Sequence, residues 1–406
     1  MSRWPHPVPR AWPWPGVTVT ASSAYSPPGP EEPRALISDL TGSEQQWLRV
    51  RDYLREHRYD LAVSAARDYP ESATVAGTPL LSTSGWLPAA PIPLDDIKLH
   101  YTPEAAFGGI TGTEPVVRRL LPVRASGARY RSYSGAVAAL AAPRVFENRA
   151  TYRLLHAELT SAPHMVFGAG SYFDGIDVGD AVAHEFTAVH LGEITTLDLR
   201  NAIGDPCDPA RRTANVALST LTLRHDRAMG MATFPLHRRD GATVGHAGGL
   251  YQVLPVGVFQ PAGEELWNAG NDFSLWRNIL RELAEELRGE TEDYGTHRGP
   301  IDYRAWPFAS HLTQALDTGQ AHAFCLGIGV DPLTFATDIL TTVTIDAPLY
   351  DELFGQVTGT NAEGSILLAV PFTAETVQRY ASREPTQAAG AGLLRLAWWH
   401  RSILLN

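Results

Sequence analysis

Apolar and polar residues alternate along the chain in patterns that predict helices and strands over most of its length. An apolar repeat at helical spacing runs from Trp47 to Leu54. It follows Thr41 and Glu44, whose spacing is typical of a capping box, so we predict a helix over about 43–57. Further helices are predicted over about 59–67, 132–141, 273–288, 374–382 and 391–404. Runs typical of strands occupy about 115–123, 150–157, 217–223, 231–237, 251–259, 324–330 and 337–346. Together these elements predict a protein of the α+β class.

The composition divides the chain into a short first segment and two longer regions. Residues 1–34 contain nine prolines and three tryptophans, which excludes a helix or a central strand there. We predict either a disordered tail or an extended strap whose tryptophans dock on the rest of the protein, and the tryptophan content favours the strap. At 406 residues the chain is long enough for two domains. We place them at 35–210, an N-terminal α/β region, and 211–406.

Three carboxylates share one face of the helix predicted over 273–288. Glu282, Glu285 and Glu286 lie at positions i, i+3 and i+4, and leucines form the opposite stripe. Like charges at this spacing repel, at a cost of roughly 0.2–0.5 kcal/mol for each pair. A divalent cation would offset that cost, because hard cations such as Mg²⁺ bind carboxylate oxygens. The face is therefore a candidate metal site, although the same residue pattern is also common in ordinary amphipathic helices.

Two other motifs are weaker. The run from Gly168 to Tyr172 has two glycines at phosphate-loop spacing, but the full pattern is absent and a tight turn is the better interpretation. His184 and Glu185 resemble the start of a zinc-binding HExxH motif. The next histidine, His190, would lie on another face of the helix, so we do not expect a zinc site.

Charge and cysteine usage narrow the classes of partner. The net charge is −11 and no cluster of five or more basic residues is present, which argues against nucleic acid. No apolar run is long enough for a transmembrane helix, so no membrane partner is expected.

The proline-broken N-terminus does not have the pattern of a secretory signal, and Cys207 and Cys325 have no CxxC spacing. We expect a cytoplasmic protein with two buried free thiols.

A loop with glycine and proline, from Gly257 to Glu264, precedes the carboxylate helix. A loop followed by such a helix resembles the Nudix box, G-x5-E-x7-R-E-U-x-E-E-x-G-U, in which U is a bulky apolar residue. The run Arg281–Glu286 matches most of the second half of this motif, but the glycine that follows in the family falls one place late, at Gly289. The loop resembles the first half with a slip of one residue. Sixteen residues separate Glu264 from Arg281, where the family has seven, so about nine residues look inserted.

The resemblance extends beyond the box to the C-terminal region of actinobacterial regulators in which a helix-turn-helix precedes a Nudix-like domain. The matching stretches are Phe146–Arg149, Gly170–Asp174, Phe234–Asp240 and Phe273–Asn278. The similarity covers about residues 59–400, and no helix-turn-helix is recognisable before it. It implies a Nudix-like mixed sheet packed between helices over 211–406, with the N-terminal α/β region as an addition.

The resemblance also implies roles for the residues of the box. Glu285 and Glu286 would bind Mg²⁺ or Mn²⁺, and Glu282 would be a further metal ligand or the general base. Arg281 would orient the helix through a salt bridge. Gly257 would let the loop approach closely.

Aromatic and basic residues outside the box are candidates for substrate binding. Trp267, in the inserted loop, would stack on a nucleobase. His237, Arg238 and Arg239 form the densest basic run and would hold phosphate, although an exposed turn is an equally good interpretation. Core packing is the better assignment for Trp276, which continues the leucine stripe.

These observations leave three hypotheses on function. The first is a divalent-metal-dependent hydrolase of the Nudix type, acting on a nucleotide-like or other diphosphate, in specialised metabolism. The second is a catalytically altered or silent Nudix-like domain that binds a nucleotide or nucleotide sugar as a regulatory sensor. The third, weaker hypothesis is a metal-free lyase or cyclase. Each implies a phosphate-bearing small molecule as the partner.

Overall fold

The computed structural model describes residues 40–143, 145–239, 249–291, 294–355, 360–361 and 364–406. The proline- and tryptophan-rich segment predicted over 1–34 lies outside the described residues.

Helices and strands are distributed along the whole described chain. The helices are α1 Gly42–Glu56, α2 Arg58–Ala66, α3 Pro115–Arg118, α4 Tyr133–Leu140, α5 Tyr172–Gly175, α6 Ala181–His190, α7 Asp198–Ile203, α8 Leu266–Asn271, α9 Leu275–Arg288, α10 Pro307–Asp317, α11 Ala347–Phe354, α12 Ala374–Ser382, α13 Ala388–Trp399 and α14 Arg401–Leu404. The strands are β1 Ile92–Pro93, β2 Lys98–Tyr101, β3 Ala150–Glu158, β4 His164–Ser171, β5 Val216–Asp226, β6 Met231–Arg239, β7 Tyr251–Val253, β8 Val256–Val258, β9 Ala321–Val330, β10 Thr337–Asp346, β11 Thr360–Asn361 and β12 Gly364–Pro371. A π-helical segment, Ile176–Asp180, joins α5 to α6.

Nine of these strands form one mixed sheet. Its order is β1-β9-β10-β5-β6-β12-β11, and the short strands β7 and β8 pair with β6 and β5. Strand β10 is parallel to β5 and antiparallel to β9. Strands β2, β4 and β3 form a separate three-stranded sheet. A mixed sheet with many helices confirms the α+β class.

Helices cover both faces of the large sheet at its centre. Successive side chains of a strand point to opposite faces, and Ile339 and Leu340 of β10 belong to different hydrophobic clusters. Ile339 shares its cluster with Leu280 and Leu283 of α9, whereas Leu340 shares its cluster with Leu393 of α13. The apolar stripe of α9 therefore packs into the core beneath the sheet, whereas Glu282 and Glu286 of the opposite stripe meet the short strand β8.

The first half of the chain packs into the same cluster as α9. The predicted capping box of α1 is confirmed, because Thr41 and Glu44 exchange side-chain to backbone hydrogen bonds. Trp47 of this helix and Val216 of β5 belong to one hydrophobic cluster. Strand β1 pairs with β9 of the large sheet. The domain boundary near residue 210 stays a prediction.

Three predictions on local structure are wrong. The strand predicted over 115–123 begins as helix α3, in which Pro115 occupies the first turn, where a backbone N–H is not needed. The glycines from Gly168 lie in strand β4 and do not form a tight turn. The helix predicted over 391–404 is two helices, because α13 ends at Trp399 and α14 begins at Arg401. None of the described helices is both long and apolar enough to span a membrane.

Candidate active site at the edge of strand β8

A cavity of about 510 Å³ lies beside strand β8, and all three residues of this strand line it. Strand β8 pairs with β5, with Gly257 opposite Leu218. One wall of the cavity is formed by α9 and Tyr294. Another is formed by the π-helical segment, the residues before β5 and the start of β10. The volume is that of a site for a small molecule.

Helix α9 has well-defined ends that fix its position beside the cavity. Ser274 is the N-cap residue, and its side chain accepts a hydrogen bond from the backbone N–H of Arg277. Gly289 ends the helix in the left-handed conformation, with φ of 69°, which glycine adopts without strain. The carboxylate stripe therefore begins and ends within one rigid helix.

A buried ion pair anchors α9 to the preceding loop. Arg281 Nη1 lies 3.4 Å from Asp272 Oδ2, and the Asp272 side chain is fully buried. Arg281 Nη2 also donates to the carbonyl of Gln260 at 2.7 Å and to Asn278 Oδ1 at 2.9 Å. The salt bridge that the resemblance implied for Arg281 is thus present. Its partner, Asp272, comes from the segment that looked inserted.

The three carboxylates of α9 have different surroundings. Glu285 Oε1 accepts a hydrogen bond from the Tyr294 hydroxyl at 2.8 Å. Burial and this carboxylate raise the pKa of Tyr294, so the phenol remains a donor. Glu282 lies against Gly257, and both Glu282 and Glu285 line the cavity. Glu286 accepts from the backbone N–H of Val256 at 2.8 Å and is not part of the lining, so the structure separates it from the other two.

The close approach of β8 and α9 depends on the missing side chain of Gly257. A Cβ atom at this position would overlap the carboxylate group of Glu282. We expect Gly257→Ala to displace the flexible Glu282 side chain and to lower the free energy of unfolding by about 1–3 kcal/mol, the usual range for overpacking. Urea denaturation measures the change. In a Glu282→Ala background the same substitution should cost much less, and equal costs in both backgrounds would show that the two residues do not interact.

The carboxylate oxygens on α9 fit a magnesium or manganese ion that is bound partly by the protein and partly by a substrate. Within the described chain, no three His, Cys, Asp or Glu side chains are arranged to hold a metal ion. Glu282 and Glu285 are one helical turn apart in the cavity wall. Mg²⁺ is commonly held by one or two carboxylates together with water and phosphate oxygens. The residues therefore fit such an ion and do not form a complete protein cage.

Two acidic residues line the cavity apart from α9. Asp180 ends the π-helical segment, and its Oδ2 atom lies 3.2 Å from Arg51 Nη1. Asp338 lies in β10 and accepts a hydrogen bond from Ser219 Oγ at 2.8 Å. Burial raises the pKa of Asp338 to about 7, and the nearby Asp331 carboxylate adds to this effect. The cavity therefore contains an acid that exchanges its proton near neutral pH.

The raised pKa of Asp338 predicts a pH dependence of stability. The folded protein holds this proton up to about pH 7, whereas the unfolded chain releases it near the ordinary pKa of 3.8. Stability should therefore fall as pH rises through this window, with a slope of up to about 1.4 kcal/mol per pH unit from this group. Asp338→Asn should remove that part of the slope and stabilise the protein at pH 8. Urea denaturation at pH 5 to 8 tests this, and identical slopes for both proteins would contradict it.

Three other predicted binding residues with described side chains do not line the cavity: Trp267, His237 and Arg238. Trp267 lies in α8 with 46% of its surface exposed, and its Nε1 atom donates to the carbonyl of Thr296. His237 is buried in β6, and Arg238 lies over the ring of Tyr251. The three basic residues therefore belong to a strand and not to a turn.

Arg239 was a predicted binding residue, whereas the role of Glu264 was left open. The side chain of Arg239 lies outside the described part of the chain. Glu264 is exposed, accepts a hydrogen bond from the backbone N–H of Ala150 at 3.4 Å and does not line the cavity. The first glutamate of the box-like pattern is thus not part of the cavity lining that contains Glu282 and Glu285.

No pattern in the sequence assigned several residues around the cavity to the site. They are Asp180, Arg212, Asp272, Tyr294 and Asp338. For Asp338 the sequence did contain a signal, because a charged residue lies next to Ile339 in a predicted buried strand. The other residues lie in or next to irregular segments, where the spacing of residues does not predict the direction of a side chain.

Comparison with known proteins does not assign this cavity to a family. A scan of the sequence against models of protein families gave no match, and a search of curated proteins found no significant relative.

Proposed function

We propose that the protein is a divalent-metal-dependent hydrolase of a small diphosphate, of the Nudix type. The observation that carries this proposal is the placement of Glu282 and Glu285 on one face of α9, in the wall of a cavity of small-molecule size. Mg²⁺ or Mn²⁺ bound there would neutralise the diphosphate and position a water molecule. A nucleotide-like diphosphate remains the proposed substrate class.

The protein residues have separate tasks in this proposal. Tyr294 holds the Glu285 carboxylate in one orientation through its hydrogen bond. The ion pair of Arg281 with Asp272 keeps α9 at a fixed distance from the loop before it. Glu282 accepts the proton when the oxygen of water bonds to phosphorus and the bridging oxygen leaves with the other phosphate. Gly257 leaves the space that Glu282 occupies.

A binding module is the second candidate function. The observation that favours it is that Glu264 and Glu286 do not line the cavity, which leaves two carboxylates of α9 in the wall. Two carboxylates suffice for a weakly held ion. In this alternative, the same cavity would take a nucleotide or nucleotide sugar without cleaving it. The cytoplasm remains the proposed location, because Cys207 and Cys325 are both buried free thiols.

Metal titration against a substrate panel tests the proposal. Inorganic pyrophosphate, ADP and UDP-glucose are incubated with the protein and increasing Mg²⁺ or Mn²⁺, and released phosphate or nucleoside monophosphate is measured. We expect cleavage of at least one compound that rises with metal and stops with EDTA. Thermal stabilisation by a nucleotide without cleavage would support the binding module. Neither binding nor cleavage in the presence of either metal would reject both functions.

A further inference from the structure

A buried arginine, Arg212, lies in a part of the cavity wall that α9 does not form. Arg212 precedes β5, is 3% exposed and lines the cavity together with Phe335 and Thr337. Its guanidinium group lies over the ring of Phe335, with Cζ 5.6 Å from the ring centroid. A fully buried arginine is unusual unless a negative charge accompanies it.

Neutral oxygen atoms accept most of the hydrogen bonds that Arg212 donates. Nη1 donates to the carbonyl of Thr213 at 3.0 Å, and Nη2 donates to the carbonyl of Pro206 at 2.9 Å and to Thr337 Oγ1 at 3.0 Å. The Nε atom is buried and has no hydrogen-bond partner among the described residues. The Nε–H group is therefore a donor that a bound molecule could satisfy.

The charge of Arg212 is only partly compensated, because the Asp205 carboxylate acts on it electrostatically without forming an ion pair. Among the described residues, no carboxylate forms an ion pair with its guanidinium group, in contrast to the pairing of Arg281 with Asp272. Burial lowers the pKa of Arg212 to about 10, so the side chain is still protonated at neutral pH. A buried cation without a directly paired counter-ion is destabilising, and the contact with Phe335 and the charge of Asp205 offset only part of this cost. A bound anion would offset the rest.

We propose that Arg212 forms an oxyanion subsite of the cavity, which binds a carboxylate or phosphoryl group of the natural ligand. The arginine supplies a positive charge and the free Nε–H donor, both in a water-poor environment that strengthens the interaction. The subsite is distinct from the carboxylates of α9 and needs no metal ion. It predicts that the ligand carries an acidic group besides any group bound beside Glu282 and Glu285.

A purely structural role for Arg212 is the competing explanation, and Arg200 provides a matched control. Arg200 is 6% exposed, donates to the carbonyls of Pro332 and Leu333 and also lies over Phe335. It does not line the cavity. Loss of either arginine should destabilise the segment before β10, but only the loss of Arg212 should remove the binding of an anion.

The experiment measures binding of small anions to the protein in EDTA, with inorganic phosphate and acetate as probes. Thermal unfolding and calorimetry are carried out at constant ionic strength on the wild type and on the Arg212→Gln, Arg200→Gln and Glu285→Gln variants. We expect saturable binding of one probe to the wild type, with a rise in Tm of at least about 2 °C at saturation. The rise should persist in Arg200→Gln and Glu285→Gln and disappear in Arg212→Gln. The preferred probe tells whether the acidic group is a phosphoryl or a carboxylate.

Absence of saturable binding of both probes to the wild type would overturn the subsite. So would binding that survives Arg212→Gln or that is lost in Glu285→Gln, because the anion would then lie elsewhere. If Arg212→Gln does not fold, wild-type crystals soaked with the bound probe decide the question. Density beside Arg212 Nε supports the subsite, and density beside α9 alone contradicts it. The absence of metal separates this result from any failure of the proposed hydrolase.

Discussion

Glu285→Gln is expected to lower kcat/KM for the cleaved diphosphate by about 10²–10³-fold, which corresponds to about 2.7–4 kcal/mol of lost transition-state stabilisation. The amide keeps the size of the side chain and still accepts the hydrogen bond from Tyr294, so the fold should be retained. It removes the negative charge that a divalent cation requires. Steady-state kinetics at saturating Mg²⁺ or Mn²⁺ measure the loss, and circular dichroism checks the fold.

Glu286→Gln is the matched control for this prediction. The two glutamates are neighbours on α9, but Glu286 accepts from the backbone N–H of Val256 and does not line the cavity. Its amide would preserve that hydrogen bond, so we expect less than a tenfold change in kcat/KM. Equal losses in both variants would show that Glu286 also reaches the ligand. Full activity of Glu285→Gln would remove Glu285 from the proposed reaction.

Arg281→Met is expected to destabilise the protein by about 3–5 kcal/mol, the usual cost of removing one partner from a buried ion pair. Asp272 would keep its hydrogen bonds from the Tyr303 hydroxyl and the Ala262 N–H but would lose its cationic partner. The carbonyl of Gln260 would lose its donor as well. Equilibrium denaturation in urea at pH 7 measures the change.

The double variant Arg281→Met with Asp272→Asn distinguishes the contribution of the ion pair to stability from that of packing. Removing both charges leaves no unpaired buried ion, so the double variant should be more stable than Arg281→Met alone. Strictly additive losses would mean that the two side chains do not interact. The same double-mutant cycle measured with metal present shows whether the Arg281–Asp272 ion pair also affects metal binding at α9.

The sequence predicted α9 well because several independent signals coincide there. The leucine stripe sets the buried face, and this fixes the direction of Glu282 and Glu285 relative to the sheet. Gly289 marks the end of the helix, which the left-handed φ of 69° confirms. The capping box at Thr41 is a second case in which a local motif was sufficient. Short-range hydrogen bonds and periodicity are properties that a sequence displays directly.

Glycines were harder to interpret from the sequence, because glycine occurs both in turns and where two segments pack closely together. A Cβ atom at Gly170 would lie 3.0 Å from atoms of Arg153, Asn215 and Thr151. Glycine therefore allows the end of β4 to pack tightly against its neighbours, with no turn involved. The partners of Gly170 are distant in sequence, so this function could not be inferred from spacing.

The second wall of the cavity could not be predicted for a related reason. Arg212 and Asp338 come together with Asp180 only because β5 and β10 pair in parallel and the π-helical segment lies beside them. None of these residues belongs to a recognisable motif. The hydrogen bond from the backbone N–H of Val256 to Glu286 could not be predicted either, since the sequence of a helix does not show which of its carboxylates will meet a neighbouring strand.

The composition of the cavity wall has a consequence for how such a protein can evolve. Asp180 and Glu282 line one cavity although they lie on opposite sides of residue 210. Recombination that exchanged only the second half of the gene would deliver the carboxylate helix without its opposite wall. Ligand preference would then change even if every residue of α9 were preserved. The two halves should therefore be inherited together, and substitutions near Asp180 or Arg212 should be accompanied by changes around α9.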